Sequence, residues 1–405
     1  MKARIYLDHA ATTPVDPRVL RAMTPYFASA YGNPGSLHGF GQDAMAAVDA
    51  ARAAIAGAIG AEFREIVFAA SATEANNLAV RGAVRAWKAA YPLRVAEGRR
   101  PRIVIGATEH ESVRETAEAL AREDAAETVI VPVDGEGRLD PAAVAAALND
   151  DTAIVSIMYG NNEVGTVAPV AAIADAIRAR RGAHERWPLF HTDAAQAFAF
   201  LSCEVRTLGV DLMTLSAHKI HGPKGIAALF VRGGSTEAQP APLSPIVTGG
   251  GQEFSLRSGT ENVPLIAGFA KAVLLADAAR AKEAARLAAL RQYALQAIAK
   301  TVKGAAVNGP RKGSVLPHIL NMHIPGVSAE ALIMWLDLAG IAVSSGSACR
   351  ARAIAPSYVI RALGHTEARA RESIRVSMGR GTTKAHIDRL CAAMKLFFAK
   401  RRTIL

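Results

Sequence analysis

Between residues 66 and 231 the chain repeats one pattern: a short apolar run, a polar turn, then a segment of helical period. The apolar runs are 66–68, 103–105, 128–131, 153–158, 189–192, 211–215 and 226–231. Each is too short for a helix, and three of the seven (66–68, 103–105 and 226–231) are apolar at every position, as strands buried on both faces are. Helical segments at 111–122, 141–148 and 170–180 fall between them. Strands alternating with helices specify an α/β fold, a mainly parallel sheet covered on both sides. Few other architectures accommodate such a pattern.

The flanks read differently. Residues 17–27 predict a helix, 31–36 a loop, and 42–59 a second helix closed by Gly60. Residues 83–102 read as an exposed helix end and loop leading to Arg99-Arg100-Pro101-Arg102, and Gly249-Gly250-Gly251 breaks the alternation. An alanine-rich helix over 265–300 is expected to link two domains. Beyond it, strands at 319–324 and 374–378 mix with helices at 329–338 and 386–398, an α+β pattern. The 405 residues suffice for this. The expected division is a large domain, 15–265, and a small one, 1–14 with 266–405.

The formal charge of +11 raises the possibility of nucleic acid, but the basic residues lie in short groups and aromatics are 5% of the chain. A solvated basic surface, with attraction to an acidic protein as a second reading, fits better than nucleic-acid binding. No apolar run reaches the roughly 18 residues of a membrane span, and the start lacks a signal-peptide core. The expectation is a cytoplasmic protein with no membrane partner. Three scattered cysteines, Cys203, Cys349 and Cys391, fit neither a disulfide framework nor a zinc site, so no metal is expected.

Parallel sheets bind ligands at the carboxyl ends of their strands, and polar signals cluster there. Ala72-Thr73-Glu74 opens a helix, where N–H groups and a hydroxyl can hold phosphate. Thr108-Glu109-His110, Asn161-Asn162-Glu163, Asp193-Ala194-Ala195-Gln196 and Lys219 follow later strands. Each alone reads as a cap, a turn or a loop lysine. Together they supply what pyridoxal 5′-phosphate requires. A lysine between buried strands can form an imine with a carbonyl cofactor. Lys219 would form the Schiff base, Asp193 would pair with the pyridine nitrogen and His110 would stack on the ring. Asn162 and Gln196 would bond the phenolic oxygen, and Thr73, Ser216 and His218 the phosphate.

Full-length motifs carry a resemblance. They are Tyr6-Leu7-Asp8-His9-Ala10-Ala11-Thr12-Thr13-Pro14, Gly32-Asn33-Pro34, the strand-end signals above and Ser216 to Gly225. Gly249-Gly250-Gly251-Gln252-Glu253, Arg257-Ser258-Gly259-Thr260, Ser344-Ser345-Gly346-Ser347-Ala348-Cys349, Pro356 to Gly364 and Ile374 to Gly379 complete the set. The chain resembles the cysteine desulfurases of the class V aminotransferase family. The resemblance implies fold type I of the pyridoxal-phosphate enzymes, with a seven-stranded large-domain sheet. It also implies a homodimer in which Thr260 reaches the phosphate of the partner subunit's cofactor. Arg375 matches the arginine that grips the substrate carboxylate, a task suited to its fork.

Cys349 separates members of the fold. It sits in a small, polar stretch, and Arg350 and Arg352 favour its thiolate. The implied reaction converts L-cysteine to L-alanine and leaves a persulfide on Cys349 for a sulfur-acceptor protein such as an iron–sulfur scaffold, with His110 an acid–base candidate. Alternatives are a selenocysteine or cystine lyase, a transaminase of small amino acids, or a basic adaptor without chemistry. Arg350-Ala351-Arg352 departs from the small polar residues common after the cysteine. With the chain stopping at Arg401 to Leu405, the scaffold-docking tail of some housekeeping members is not expected, and Tyr159-Gly160-Asn161-Asn162-Glu163-Val164-Gly165 and Gly259-Thr260-Glu261-Asn262-Val263 lean toward the nitrogenase-associated type.

Overall fold

The computed structural model describes residues 4–181, 186–235, 241–345 and 356–404. Among them the strands are β1 (Ile5–Tyr6), β2 (Ile66–Ala69), β3 (Arg102–Gly106), β4 (Glu127–Val131), β5 (Thr152–Ser156), β6 (Leu189–Asp193), β7 (Leu212–Ser216), β8 (Ala227–Val231), β9 (Ala306–Asn308), β10 (Ile319–His323), β11 (Ile341–Ala342) and β12 (Ser373–Ser377). Seven of them form one sheet in the order β2-β8-β7-β6-β5-β3-β4. All neighbours are parallel except around β8, which runs antiparallel to both β2 and β7. The reason is local: the connection around Lys219 is too short for the helical crossover that a parallel return requires.

Side chains alternate between two cores across this sheet. From β3, Ile103 and Ile105 point into a core shared with helices Ala72–Ala90 and Glu111–Arg122, and Val104 points into the core on the opposite face. That opposite core is covered by helices Gly39–Ile59 and Val170–Arg181 and by the first part of helix Val263–Thr301. Gly60 closes the first of these helices at φ 67°, the left-handed conformation for which glycine is suited.

Helix Val263–Thr301 serves two cores. Val263, Ile266, Phe269 and Val273 pack beneath the seven-stranded sheet, whereas Leu287, Leu290, Ala294 and Ile298 belong to a separate core. The second core is built on the antiparallel sheet β12-β10-β9 and on helices Ala329–Leu338 and Lys384–Ile404. β1 pairs in parallel with β11, which brings the start of the chain to this second core.

Two expectations need correction. The helix expected over 17–27 is two helices, Pro17–Met23 and Pro25–Ala28. Pro25 lacks the N–H that would continue the first and is at home in the first turn of the second. Residues 83–90 are not an exposed end: the helix runs to Ala90, and Ala83, Val84 and Trp87 are buried. The alanines at 83, 86, 89 and 90 gave little contrast between the two faces, and only Val84 and Trp87 marked the inner one.

Candidate active site

The ends of five strands and one residue of β12 converge on a cavity of about 460 Å³. Ala72, Thr73, His110, Asn162, Asp193, Gln196, Ser216, His218, Lys219 and Arg375 all line it. Of the site residues expected from the sequence, Thr260 lies apart, exposed beside an adjoining cavity of about 160 Å³ that shares Gly225 and Ile226 with the first. Cys349, with Arg350 and Arg352, lies outside the described residues.

Each side chain is held by its neighbours. Helix Ala72–Ala90 starts at the cavity, capped by Ser71 Oγ, which accepts from Glu74 N at 3.1 Å. Its first-turn N–H groups point outward, a ready anion site. Glu74 is fixed in turn by Ala70 N at 3.0 Å and by Arg257 Nε at 2.7 Å. Lys219 ends a short turn after β7, and its Nζ donates to Ala10 O at 2.6 Å and Ala11 O at 2.8 Å. Gly225, at φ 89°, lets the returning backbone pass the cavity wall.

His218 meets Thr12 Oγ1 through Nδ1 at 3.1 Å. Burial first, then the cations of Lys219 and Lys224, hold it down at about 4, so it faces the cavity as a neutral ring. The amide nitrogen of Gln196 donates to Ala10 O at 2.8 Å, and its oxygen lies 3.3 Å from His318 Nε2.

Asp193 closes β6 and is buried. Its Oδ1 accepts from Ala195 N at 2.9 Å, its Oδ2 from Asn76 Nδ2 at 2.8 Å. His110 caps helix Glu111–Arg122, with Nδ1 accepting from Ser112 N at 3.1 Å. Burial is the main cause that lowers its pKa, opposed by the Asp193 carboxylate and aided by Lys219.

Arg375 is buried on β12. Nη1 donates to Asn162 O at 2.9 Å and Nη2 to Asp8 Oδ1 at 2.8 Å. Its backbone pairs with Ser344, N–H to carbonyl at 2.6 Å and the reverse at 3.1 Å. On the other side of the undescribed stretch 346–355, Ser357 donates to Glu163 Oε2 at 2.5 Å. Both flanks of that stretch therefore end beside the Asn162–Arg375 contact. The other two cysteines are buried free thiols, and burial pushes Cys203 up to about 12.

These residues fit pyridoxal phosphate. The volume suits a small cofactor, an amine lies on one wall, a buried carboxylate lies on another, and a helix N-terminus supplies anion donors. Sequence reasoning missed Asn76, Ser112 and Asp8, which orient Asp193, His110 and Arg375. Asn76 lay one helical turn inside the Ala72-Thr73-Glu74 signal, where a polar residue in a helix interior was the only available hint.

Residues 5–390 match the family model described as aminotransferase class-V. A putative cysteine desulfurase IscS 1 of Bacillus subtilis (strain 168) is 42% identical over 95% of this chain and 96% of its own length. The cysteine desulfurase IscS of Anaeromyxobacter sp. (strain K) is 43% identical over 100% of this chain and 94% of its own. A solved NifS-like protein superposes with a TM-score of 0.86, at 31% identity, covering 98% of this chain and 99% of that one. On site geometry and full-length similarity together, the chain belongs to the class V aminotransferase family, whose enzymes depend on pyridoxal 5′-phosphate.

Proposed function

We propose that this enzyme is a cysteine desulfurase: it takes L-cysteine, releases L-alanine, and passes the sulfur through a persulfide on Cys349 to an acceptor protein for iron–sulfur cluster assembly. The observation that carries the reading is that one cavity holds both Lys219 and Arg375. An amine for a carbonyl cofactor thus shares a wall-to-wall space with a cation for an amino-acid carboxylate.

Bound pyridoxal phosphate supplies an electrophilic carbonyl and an electron-withdrawing ring. Lys219 would be the residue that holds its carbonyl carbon, and the Lys219 amine would be the base that takes the substrate Cα proton. Asp193 would favour a protonated ring nitrogen, and His110 would cover the ring. Asn162 and Gln196 would hold the phenolic oxygen, while Thr73, Ser216, His218 and the helix N–H groups of Ala72 and Thr73 would hold the phosphate. Arg375 grips the substrate carboxylate. The Cys349 thiolate attacks the substrate sulfur: the C–S bond breaks, an S–S bond forms, and the substrate Cβ takes a proton to become the methyl of alanine.

The enzyme acts as a cytoplasmic homodimer, with Thr260 turned to the partner subunit's cofactor phosphate. Exposed Tyr31 and Phe40, with ring centroids 5.7 Å apart, and Leu37, 93% exposed, support an apolar interface, since clustered exposed apolar side chains mark association. Among the described residues no helix is long and apolar enough to cross a membrane. The two separate cores support a cofactor-binding domain and a small domain built on the chain start and the C-terminal part, with the boundary inside helix Val263–Thr301 and not at the expected 265, because Ile266, Phe269 and Val273 pack in the first core and Leu287 onward in the second.

The test is to supply L-cysteine and a reductant and to measure alanine and sulfide together, beside Cys349→Ala. Equal amounts of both, abolished by the substitution, support the reading. Full turnover in Cys349→Ala would move the assignment to a selenocysteine or cystine lyase.

A further inference from the structure

Asn76 Nδ2 carries two hydrogens, and both are placed. One lies on Asp193 Oδ2 at 2.8 Å and the other on Ser112 Oγ at 2.8 Å. The amide cannot be turned over, because its oxygen would then face the carboxylate, acceptor against acceptor. His110 Nδ1 accepts from the backbone N–H of Ser112, so the Ser112 hydroxyl, which accepts from Asn76, gives its own hydrogen to that nitrogen, 2.8 Å away. The backbone N–H of Ser112 reaches the same nitrogen at 3.1 Å. Nδ1 is thus an acceptor twice over, and the hydrogen of the neutral ring sits on Nε2. The Asp193 carboxylate fixes the Asn76 end of this chain of bonds, and the Ser112 backbone N–H fixes the His110 end. Asn76 is fully buried and its Oδ1 has no partner among the described residues, so the residue acts through its two N–H groups.

We propose that Asn76 is a positioning residue that couples Asp193 to His110: through the Ser112 hydroxyl it ties the tautomer and charge of His110 to the carboxylate on the other side of the site. The coupling depends on the function proposed above only for what Asp193 and His110 do toward the cofactor. The charged groups facing His110 are Asp193 from β6, Lys219 from the turn after β7 and Glu111 from its own helix. Protonating Nδ1 would set its new N–H against two donors from Ser112, so the chain of bonds favours the neutral ring.

The test uses the full chain stripped of cofactor, with nitrogen-15 in the histidine rings, and follows His110 by NMR through a pH titration. In the wild type Nδ1 is bare and Nε2 carries hydrogen. Ser112→Ala removes the hydroxyl donor but leaves Asn76 on Asp193, and Asn76→Leu removes both links. Each should make His110 easier to protonate, by about fivefold in its ionisation constant, the worth of one hydrogen bond. Thermal melts of both variants check folding, and Ser112→Ala carries the test if Asn76→Leu does not fold. The proposal fails if His110 titrates identically in the wild type and in Ser112→Ala, even where Asn76→Leu shifts it, since the charge of Asp193 would then act through space alone. No cofactor is needed, so a chain that failed to load pyridoxal phosphate would overturn the proposed function while His110 still decided the coupling.

Discussion

Arg375 and Asp8 lie 367 residues apart and meet at 2.8 Å. The contact joins the start of the chain to β12 at the edge of the cavity, with side chains 3% and 18% exposed. Asn162 O takes the other end of the guanidinium, so three distant segments aim one cation. Arg375→Lys keeps the charge but loses the fork. The expected result is a KM for L-cysteine raised about 10²-fold with kcat less affected, the pattern of lost ground-state binding, read from steady-state kinetics. Asp8→Asn leaves the arginine without its counter-ion, and the expected loss of stability is about 3 kcal/mol by urea denaturation.

Lys219 donates to two consecutive carbonyls, Ala10 O and Ala11 O, which hold its amine at the cavity wall. Lys219→Ala should bind pyridoxal phosphate without a borohydride-reducible link and reduce turnover by about 10⁴-fold or more, since it removes both the nucleophile and the base of the proposed reaction. Absorbance after borohydride treatment and dialysis checks the first point. A retained covalent adduct would place the Schiff base on another lysine.

Much of this site was legible because its chemistry sits where strands end. Apolar runs announced β2, β3, β5, β6 and β7, and the residues just past them carried the polar signals. The partners that orient those residues were harder to see. Asn76 and Asp8 lie on elements distant in sequence from Asp193 and Arg375, and only the folded chain brings them together. Short strands such as β9 and β11 were invisible for the same reason: three and two residues long, they exist by pairing and not by local pattern. The left-handed run Glu253–Ser255, with φ of 49°, 57° and 64°, follows no preference of its residue types.

Glu163 lies buried between Ser357 and Arg375, and burial pushes its carboxyl up to about 7, against the pull of the Ser357 hydrogen bond and the Arg375 cation. The folded chain therefore keeps a proton that the unfolded chain, near 4.5, releases. The stability tied to that proton is fully present below about 4.5 and is lost as pH rises through about 7. Glu163→Gln keeps the shape and an acceptor for Ser357 but has nothing to ionise. Its stability relative to the wild type should climb across this window, by about 3 kcal/mol at most. His9, His191 and His218, held down at about 4 by burial, make both proteins lose stability as pH falls below 6.5. The difference between the two curves removes that common part. A flat difference from pH 4.5 to 8 would show that Glu163 is ionised throughout.

Arg52 and Glu253 form a buried fork, both bonds at 2.8 Å, with side chains 6% and 2% exposed. Glu253 also accepts from Phe68 N at 2.8 Å, at the end of the strand that precedes the phosphate-side helix. The pair pins the first of three consecutive non-glycine residues at positive φ, a conformation that costs about 1–3 kcal/mol per residue and persists only when its surroundings enforce it. The same turn delivers Arg257 to Glu74 at the start of helix Ala72–Ala90. Arg52→Ala strands a buried carboxylate and should cost about 3–5 kcal/mol. Arg52→Met with Glu253→Leu removes both charges and should recover much of that loss while leaving the turn without its clamp. Cofactor affinity then separates the two roles. If the pair only fills space, the double variant binds pyridoxal phosphate like the wild type. If it holds the turn, and through Arg257 and Glu74 the helix N-terminus, affinity stays reduced after stability has returned.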